Sequence, residues 1–259
     1  MAWWRSWLAV PVLAAYAFVI QKHKFTWKKF FLCAPAGVLF GSSIGLFFWA
    51  VQITSLINGS LIASLQPLII IFLSYYIFSE KVTSSDIGLS IFSIGGAALI
   101  ILAGASEGSG KISGDIMALI GITSGATYFA FARKALMQLG VAEFMAGYFI
   151  WSGIALTPMM LISGAEIMPQ TQPDVIDILL VASIPGIGHV LLNYSQGKTP
   201  LRLIGILLLL LPVTATVSAV FFLGATISLL KGIGIAIVFI GLGTSSYMRN
   251  KEHEESPSP

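Results

Sequence analysis

Apolar residues fill this chain in long runs broken by short polar stretches, and no charge falls at about 6–21, 30–79, 87–106, 116–132, 144–165, 178–197, 203–230 and 232–248. A helix crossing a bilayer needs roughly 20 apolar residues, so each run reads as one crossing or more. The 30–79 run is too long for one helix, and the polar cluster Gln52, Thr54, Ser55, Asn58, Gly59 and Ser60 is where the chain should turn back. Strands spanning a membrane would alternate polar and apolar positions, whereas Ile206 to Leu211 is continuously apolar. The pattern predicts an all-α membrane protein, a polytopic helical bundle of about nine transmembrane helices.

Composition strengthens this picture: of 259 residues, 56% are hydrophobic and 10% charged, against about 25% charged in a soluble domain. No stretch remains for a folded aqueous domain, which excludes a nucleic-acid binder, a receptor ectodomain and a conventional cytosolic enzyme. Because basic residues are retained on the cytoplasmic side, the loop after the first span should be inside. Lys22, Lys24, Lys28, Lys29, Lys81, Arg133, Lys134, Lys198, Arg202, Arg249 and Lys251 then fall inside, and Arg5, Lys111 and Lys231 outside. The loop 163–177 agrees, carrying Glu166, Asp174 and Asp177 without a basic residue. The expected location is the inner or plasma membrane, multi-pass, with the C-terminus cytoplasmic and a disordered tail at 249–259 containing Glu252, Glu254 and Glu255. Arg5 ahead of an apolar run and Ala15-Tyr16-Ala17 also fit a cleaved signal peptide, a reading opposed by the four lysines just downstream. The one cysteine, Cys33, has apolar neighbours and reads as a small buried hydrophobe.

Sliding the chain by 145 residues superposes Leu65-Gln66-Pro67 on Leu210-Leu211-Pro212, Phe78 on Leu223, Gly41 on Gly186 and Thr54 on Thr199. With one more residue of offset, Gly88 meets Gly234 and Gly95 meets Gly241. Equivalent helices are an odd number of spans apart, so the second copy enters the bilayer upside down. Inverted-topology repeats are characteristic of secondary transporters, whose halves rock to expose a midplane site to either side.

The segment Leu65-Gln66-Pro67, then Ile77-Phe78-Ser79-Glu80-Lys81-Val82-Thr83, Gly88 and Gly95-Gly96, resembles the fourth and fifth helices of the EamA-type repeat of the drug/metabolite transporter superfamily. Gly188-His189-Val190-Leu191-Leu192-Asn193-Tyr194-Ser195, then Leu211-Pro212-Val213 and Leu223-Gly224, resembles the second copy. Ala225 stands where that copy usually has an acidic residue matching Glu80, and the family's first helix has no counterpart. The resemblance implies a two-repeat carrier of small organic solutes, often amino acids or other metabolites, frequently exported. Residues 1–106 form the first repeat with four spans, 107–115 an outside linker, and 116–248 the second repeat with five spans. The span at 116–132 has no mate, so a helix is expected to be missing before residue 1, by a misplaced start or a genuine loss. An open groove is then expected along the spans at 6–21 and 30–51.

Candidate chemistry is sparse. Gly37, Gly41 and Gly45 lie four apart, as do Gly121 and Gly125, giving bare helix faces for close packing or for sliding. His189, Asn193 and Gln196 form one polar stripe by i, i+4, i+7 spacing, which must face protein or a wet cavity. The substrate-facing candidates are His189 and Asn193, with Gln66 beside the helix-breaking Pro67, Asn58 eight residues earlier on a shared broad face, and Tyr128 and Trp151 as walls for stacking on a solute. The alternative for each is packing within the bundle. Arg5 either snorkels to the outer interface or offers carboxylates a fixed positive charge at the outer mouth. Glu80 reads as a loop ion pair or a cap. His189 reads as the one titratable side chain at membrane depth, so any proton coupling should run through it.

Gly41-Ser42-Ser43-Ile44-Gly45 spells G-x-S-x-G, but a nucleophile elbow needs a strand-turn-helix context. No metal cluster, P-loop or nucleotide fingerprint occurs, so neither cofactor nor catalytic residue is expected. The function expected is secondary transport of a small organic solute by alternating access through a central cavity, not enzymatic. The rivals are an intramembrane serine hydrolase built on Ser43 and His189, and a non-transporting membrane scaffold. The expected partners are the solute and the lipid bilayer, without nucleic acid; a homodimer is compatible with the sequence.

Overall fold

The computed structural model describes residues 2–22, 24, 26–54, 56–103, 111–164, 171–224 and 227–255. Ser55, Glu166, Ala225 and residues 256–259, on which parts of the sequence reading rest, lie outside the described residues. Every regular element among the described residues is helical: α1 (Ala2–Ala14), continued by a π-helical segment Ala15–Ile20, then α2 (Trp27–Leu32), α3 (Ala34–Ile53), α4 (Leu56–Ala63), α5 (Gln66–Phe78), α6 (Ser84–Leu102), α7 (Ile112–Leu136), α8 (Val141–Ile162), α9 (Gln172–Gln196), α10 (Leu201–Leu208), α11 (Leu211–Leu223) and α12 (Leu229–Glu255). Among the described residues, eight spans are long and apolar enough to cross a bilayer, and the apolar stretch Leu229–Gly241 of α12 adds a shorter ninth. Their apolar side chains remain largely outward, with Phe221, Phe222 and Leu229 more than four-fifths exposed, as suits a protein whose solvent is lipid.

The turn expected across Gln52 to Ser60 is tighter than its polar composition suggested. The first helix runs through Ile53 and the next begins at Leu56, so Asn58, Gly59 and Ser60 are already helical. Proline then breaks that second helix. Pro67 has no N–H to return to the Ala63 carbonyl, and α4 ends at Ala63 while α5 starts at Gln66. Pro212 does the same in the second copy, where α10 ends at Leu208 and α11 starts at Leu211. Both breaks are stitched alike: Leu65 N–H donates to Ile62 O at 3.0 Å, and Leu210 N–H to Leu207 O at 3.1 Å. Elements α4, α5 and the start of α6 thus recur as α10, α11 and the start of α12 at the offset of 145. The fold is an all-α polytopic bundle of two inverted repeats.

The break corrects one expectation: Asn58 and Gln66 share no helical phase, because the helix is interrupted between them. A second correction is at the C-terminus, where α12 continues to Glu255 instead of giving way to a disordered tail at 249. No glycine or proline stands between Met248 and Glu255, and glutamate, lysine and arginine are good helix formers.

The compact units cut across the sequence halves. One comprises Met1–Trp49 with Ile120–Leu201, the other Ala50–Leu119 with Arg202–Pro259. In the second unit, α6 and α12 pack backbone to backbone: a Cβ on Gly96 would lie 2.7 Å from the Gly234 carbonyl, and one on Gly234 2.6 Å from that of Gly96. Around this contact Ile71, Ile100, Ile206, Leu209, Val213 and Val238 form the core.

Candidate functional site

In the first unit, α1 and α3 lie against α8. The glycine stripe of α3 is the reason the backbones approach so closely. A Cβ on Gly37 would lie 2.5 Å from the Tyr148 carbonyl, one on Gly41 2.5 Å from that of Ser152, and one on Gly45 would strike Met159 Sδ. Gly121 of α7 likewise faces the Ser43 carbonyl. The G-x-S-x-G sequence is thereby a helix-packing face inside α3, with none of the strand-turn-helix geometry a nucleophilic serine needs.

On α1, Trp3 Nε1 donates to Thr157 Oγ1 at 3.0 Å, Ser6 Oγ lies 3.4 Å from Ser152 Oγ, and Trp7 lies against Gly153. These contacts fix the register of α1 on α8. Ser152 is near the midpoint of the 22-residue α8, so Arg5 sits level with the middle of a span, on the order of 15 Å from either end at 1.5 Å per residue. It is not at an outer mouth. Its guanidinium carbon lies 5.5 Å from the centroid of Phe40, and Tyr148 and Tyr128 are within electrostatic reach. Nε and Nη2 are buried with no hydrogen-bond partner among the described residues.

Around Arg5 the first unit gathers an aromatic and polar cluster. Phe40 packs against Tyr128 and Tyr148, each with ring centroids 5.1 Å apart, and edge-on against His189 at 4.6 Å. Tyr128 and Tyr148 are fully buried, and the Tyr128 hydroxyl donates to Asn193 Oδ1 at 3.2 Å. Asn193 Nδ2 in turn donates to the His189 carbonyl at 2.9 Å, so this buried amide is satisfied and acts as a fixed peg for Tyr128. The Tyr148 hydroxyl, on the side of Tyr128, meets no partner in hydrogen-bond geometry among the described residues. The half-buried His189 ring packs against Phe40, Tyr128 and Tyr148. Gln196, the last member of the stripe, is fully buried, and neither amide atom has a hydrogen-bond partner among the described residues.

Three of the six candidates, His189, Asn193 and Tyr128, therefore meet in one cluster. Trp151 belongs to the same unit but packs elsewhere, donating from Nε1 to the Phe30 carbonyl at 3.1 Å with its ring 5.2 Å from that of Phe30. Asn58 and Gln66 belong to the second unit. Asn58 donates to Asp115 Oδ1 at 3.3 Å and to Thr54 Oγ1 at 3.4 Å, while Thr54 donates to the same carboxylate oxygen at 2.5 Å. This triad ties the turn after α3 to the first turn of α7. Gln66 is half-buried at the start of α5. Glu80 is a cap across the repeats, accepting from the Arg202 backbone N–H at 2.9 Å at the start of α10, while the Arg202 side chain reaches the Lys81 carbonyl and Asp86.

Sequence reasoning passed over Glu143 and Asp115, both in first turns of helices and so at the margins of apolar windows. Glu143 is buried and paired with Lys29 Nζ at 2.9 Å, beside a cavity of about 80 Å³ that Thr26, Cys33 and Gly147 also line. His189 is thus joined by Glu143 and Arg5 among the buried titratable groups of this unit. Cys33 is the buried hydrophobe expected, its Sγ 3.3 Å from the Lys29 carbonyl. Among the described residues no cluster of three His, Cys, Asp or Glu side chains could hold a metal ion.

Compared with known proteins, the chain matches the EamA-like transporter family over residues 1–102 and 112–247. It is 25% identical over 241 residues to a protein of Clostridium kluyveri described as an uncharacterized transporter, covering 90% of this chain and 77% of that one. A protein of known crystal structure superposes with a TM-score of 0.80 at 18% identity, covering 95% of this chain and 88% of the other, a likeness of fold.

Proposed function

Since the chain belongs to the EamA-like transporter family, we propose that it is a secondary carrier that moves a small organic solute, an amino acid or another metabolite, by alternating access. The observation that carries this reading is the internal symmetry. The helix break at Pro67 recurs at Pro212 with the same helix lengths on either side, and the two copies are inverted. Inverted repeats supply two conformations of equal energy in the bare scaffold, one open to each face of the membrane. The His189, Asn193 and Tyr128 cluster is the proposed solute contact, with the C-terminus in the cytoplasm of a cell membrane.

Uptake tests this directly. Proteoliposomes carrying the purified chain should accumulate at least one solute from a labelled panel of amino acids and organic acids, with saturation and with exchange from a preloaded interior. Absence of saturable flux across the whole panel would favour the scaffold reading. Hydrolysis of an acyl substrate that is lost in Ser43→Ala would instead revive the enzyme.

A further inference from the structure

The orphaned atoms of Arg5 are Nε and Nη2, the two donors that form the side-on edge of a guanidinium. Their N–H bonds run nearly parallel, which is the geometry that receives both oxygens of a carboxylate at once. Arginine stays charged when buried, and a buried charge without a partner is strongly destabilising. The first unit offers it no acid among the described residues: Glu143 is held by Lys29, and Asp174 and Asp177 lie in the first two turns of α9, with Asp174 engaged in a capping box. The Tyr148 hydroxyl, on the side of Tyr128, is also buried and within electrostatic reach of Arg5, with no partner in hydrogen-bond geometry among the described residues. The Phe40 ring lies beside the guanidinium and packs against Tyr128 and Tyr148, rings suited to an organic body.

We propose that the first unit holds a carboxylate-binding site, in which the Nε and Nη2 edge of Arg5 pairs with the carboxylate of a small organic acid and Phe40, Tyr148 and His189 pack its body. That this acid is the transported solute rests on the carrier reading; the binding site itself does not. Asn193 belongs to the same cluster and holds Tyr128 against Phe40 through its hydrogen bond. An inorganic anion fits less well, because a halide uses one point of the fork and a tetrahedral phosphate calls for more donors than the cluster provides.

The test uses the full chain in nanodiscs, with benzoate as probe and benzamide as its neutral counterpart. Benzoate should bind and raise the melting temperature, with benzamide at least about tenfold weaker, as expected for a charge-assisted pair of hydrogen bonds. Arg5→Gln should bring the two ligands to about equal, weak affinity. Arg5→Lys keeps the charge and loses the fork, so it should weaken benzoate several-fold while preserving its advantage over benzamide. Without ligand, Arg5→Met should melt at or above the temperature of the parent, since it removes an uncompensated buried charge; a large fall would mark Arg5 as structural and overturn the site. Undiminished benzoate binding in Arg5→Gln would overturn it too, as would equal stabilisation by chloride or phosphate. Arg5-dependent benzoate binding with no flux of any solute would leave the site and defeat the carrier. Flux of neutral solutes without benzoate binding would do the reverse.

Discussion

The contact between Tyr128 and Asn193 shows how a polar pair is made tolerable inside an apolar bundle. Both side chains are fully buried, and the hydrogen bond of 3.2 Å is what satisfies the amide oxygen. Tyr128→Phe removes the donor and strands that acceptor, so it should cost about 1–3 kcal/mol in thermal unfolding of the nanodisc-embedded protein. Combining it with Asn193→Leu removes both partners, and the double variant should recover part of the loss. A double variant no more stable than Tyr128→Phe alone would show that Asn193 does further work through another contact. His189 and Asn193 were legible as one stripe because helical spacing is a property of the sequence. The depth of Arg5 was not, because charge counting assigns a side of the membrane and says nothing about how far α1 slides along α8; Trp3 on Thr157 and Ser6 on Ser152 decide that.

At the level of elements, glycines divide into those that another helix has claimed and those that none has. A methyl at Gly41 would meet the Ser152 carbonyl at 2.5 Å, a backbone atom that can move only with the whole of α8. Gly41→Ala should therefore destabilise by about 1–3 kcal/mol, read as a lowered melting temperature. Gly95 in α6 has open space at that position, so Gly95→Ala should be neutral or gain up to about 1 kcal/mol from the better helix former. Equal effects at the two positions would contradict the packing described. The spacing of Gly37, Gly41 and Gly45 predicted a bare face, and α8 is the surface it meets. The helix break at Pro67 was equally readable, because proline lacks the donor. Glu143 and Asp115 escaped notice because helices α8 and α7 begin several residues before their apolar windows do, and the first turn of a helix tolerates acids that hydropathy assigns to loops.

On the scale of the whole molecule, the two copies match in more than sequence. Elements α4 and α10 each have 8 residues, α5 and α11 each 13, and both breaks sit four residues ahead of a proline. In an inverted repeat, such a pair occupies equivalent places in opposite orientations, so whatever a break does for the state open to one face, its mate does for the state open to the other. Healing one break by Pro67→Ala restores a backbone donor to α5 and biases the carrier toward one orientation; Pro212→Ala biases it toward the opposite one. Half-saturation concentrations measured from the two faces, in right-side-out and inside-out vesicles, should shift in opposite directions in the two single variants. The double variant should return toward the parent ratio, since equal biases cancel in the equilibrium between the states. Shifts of the same sign in both single variants would mean that the prolines serve each helix locally, and that the sequence symmetry is not used to switch access.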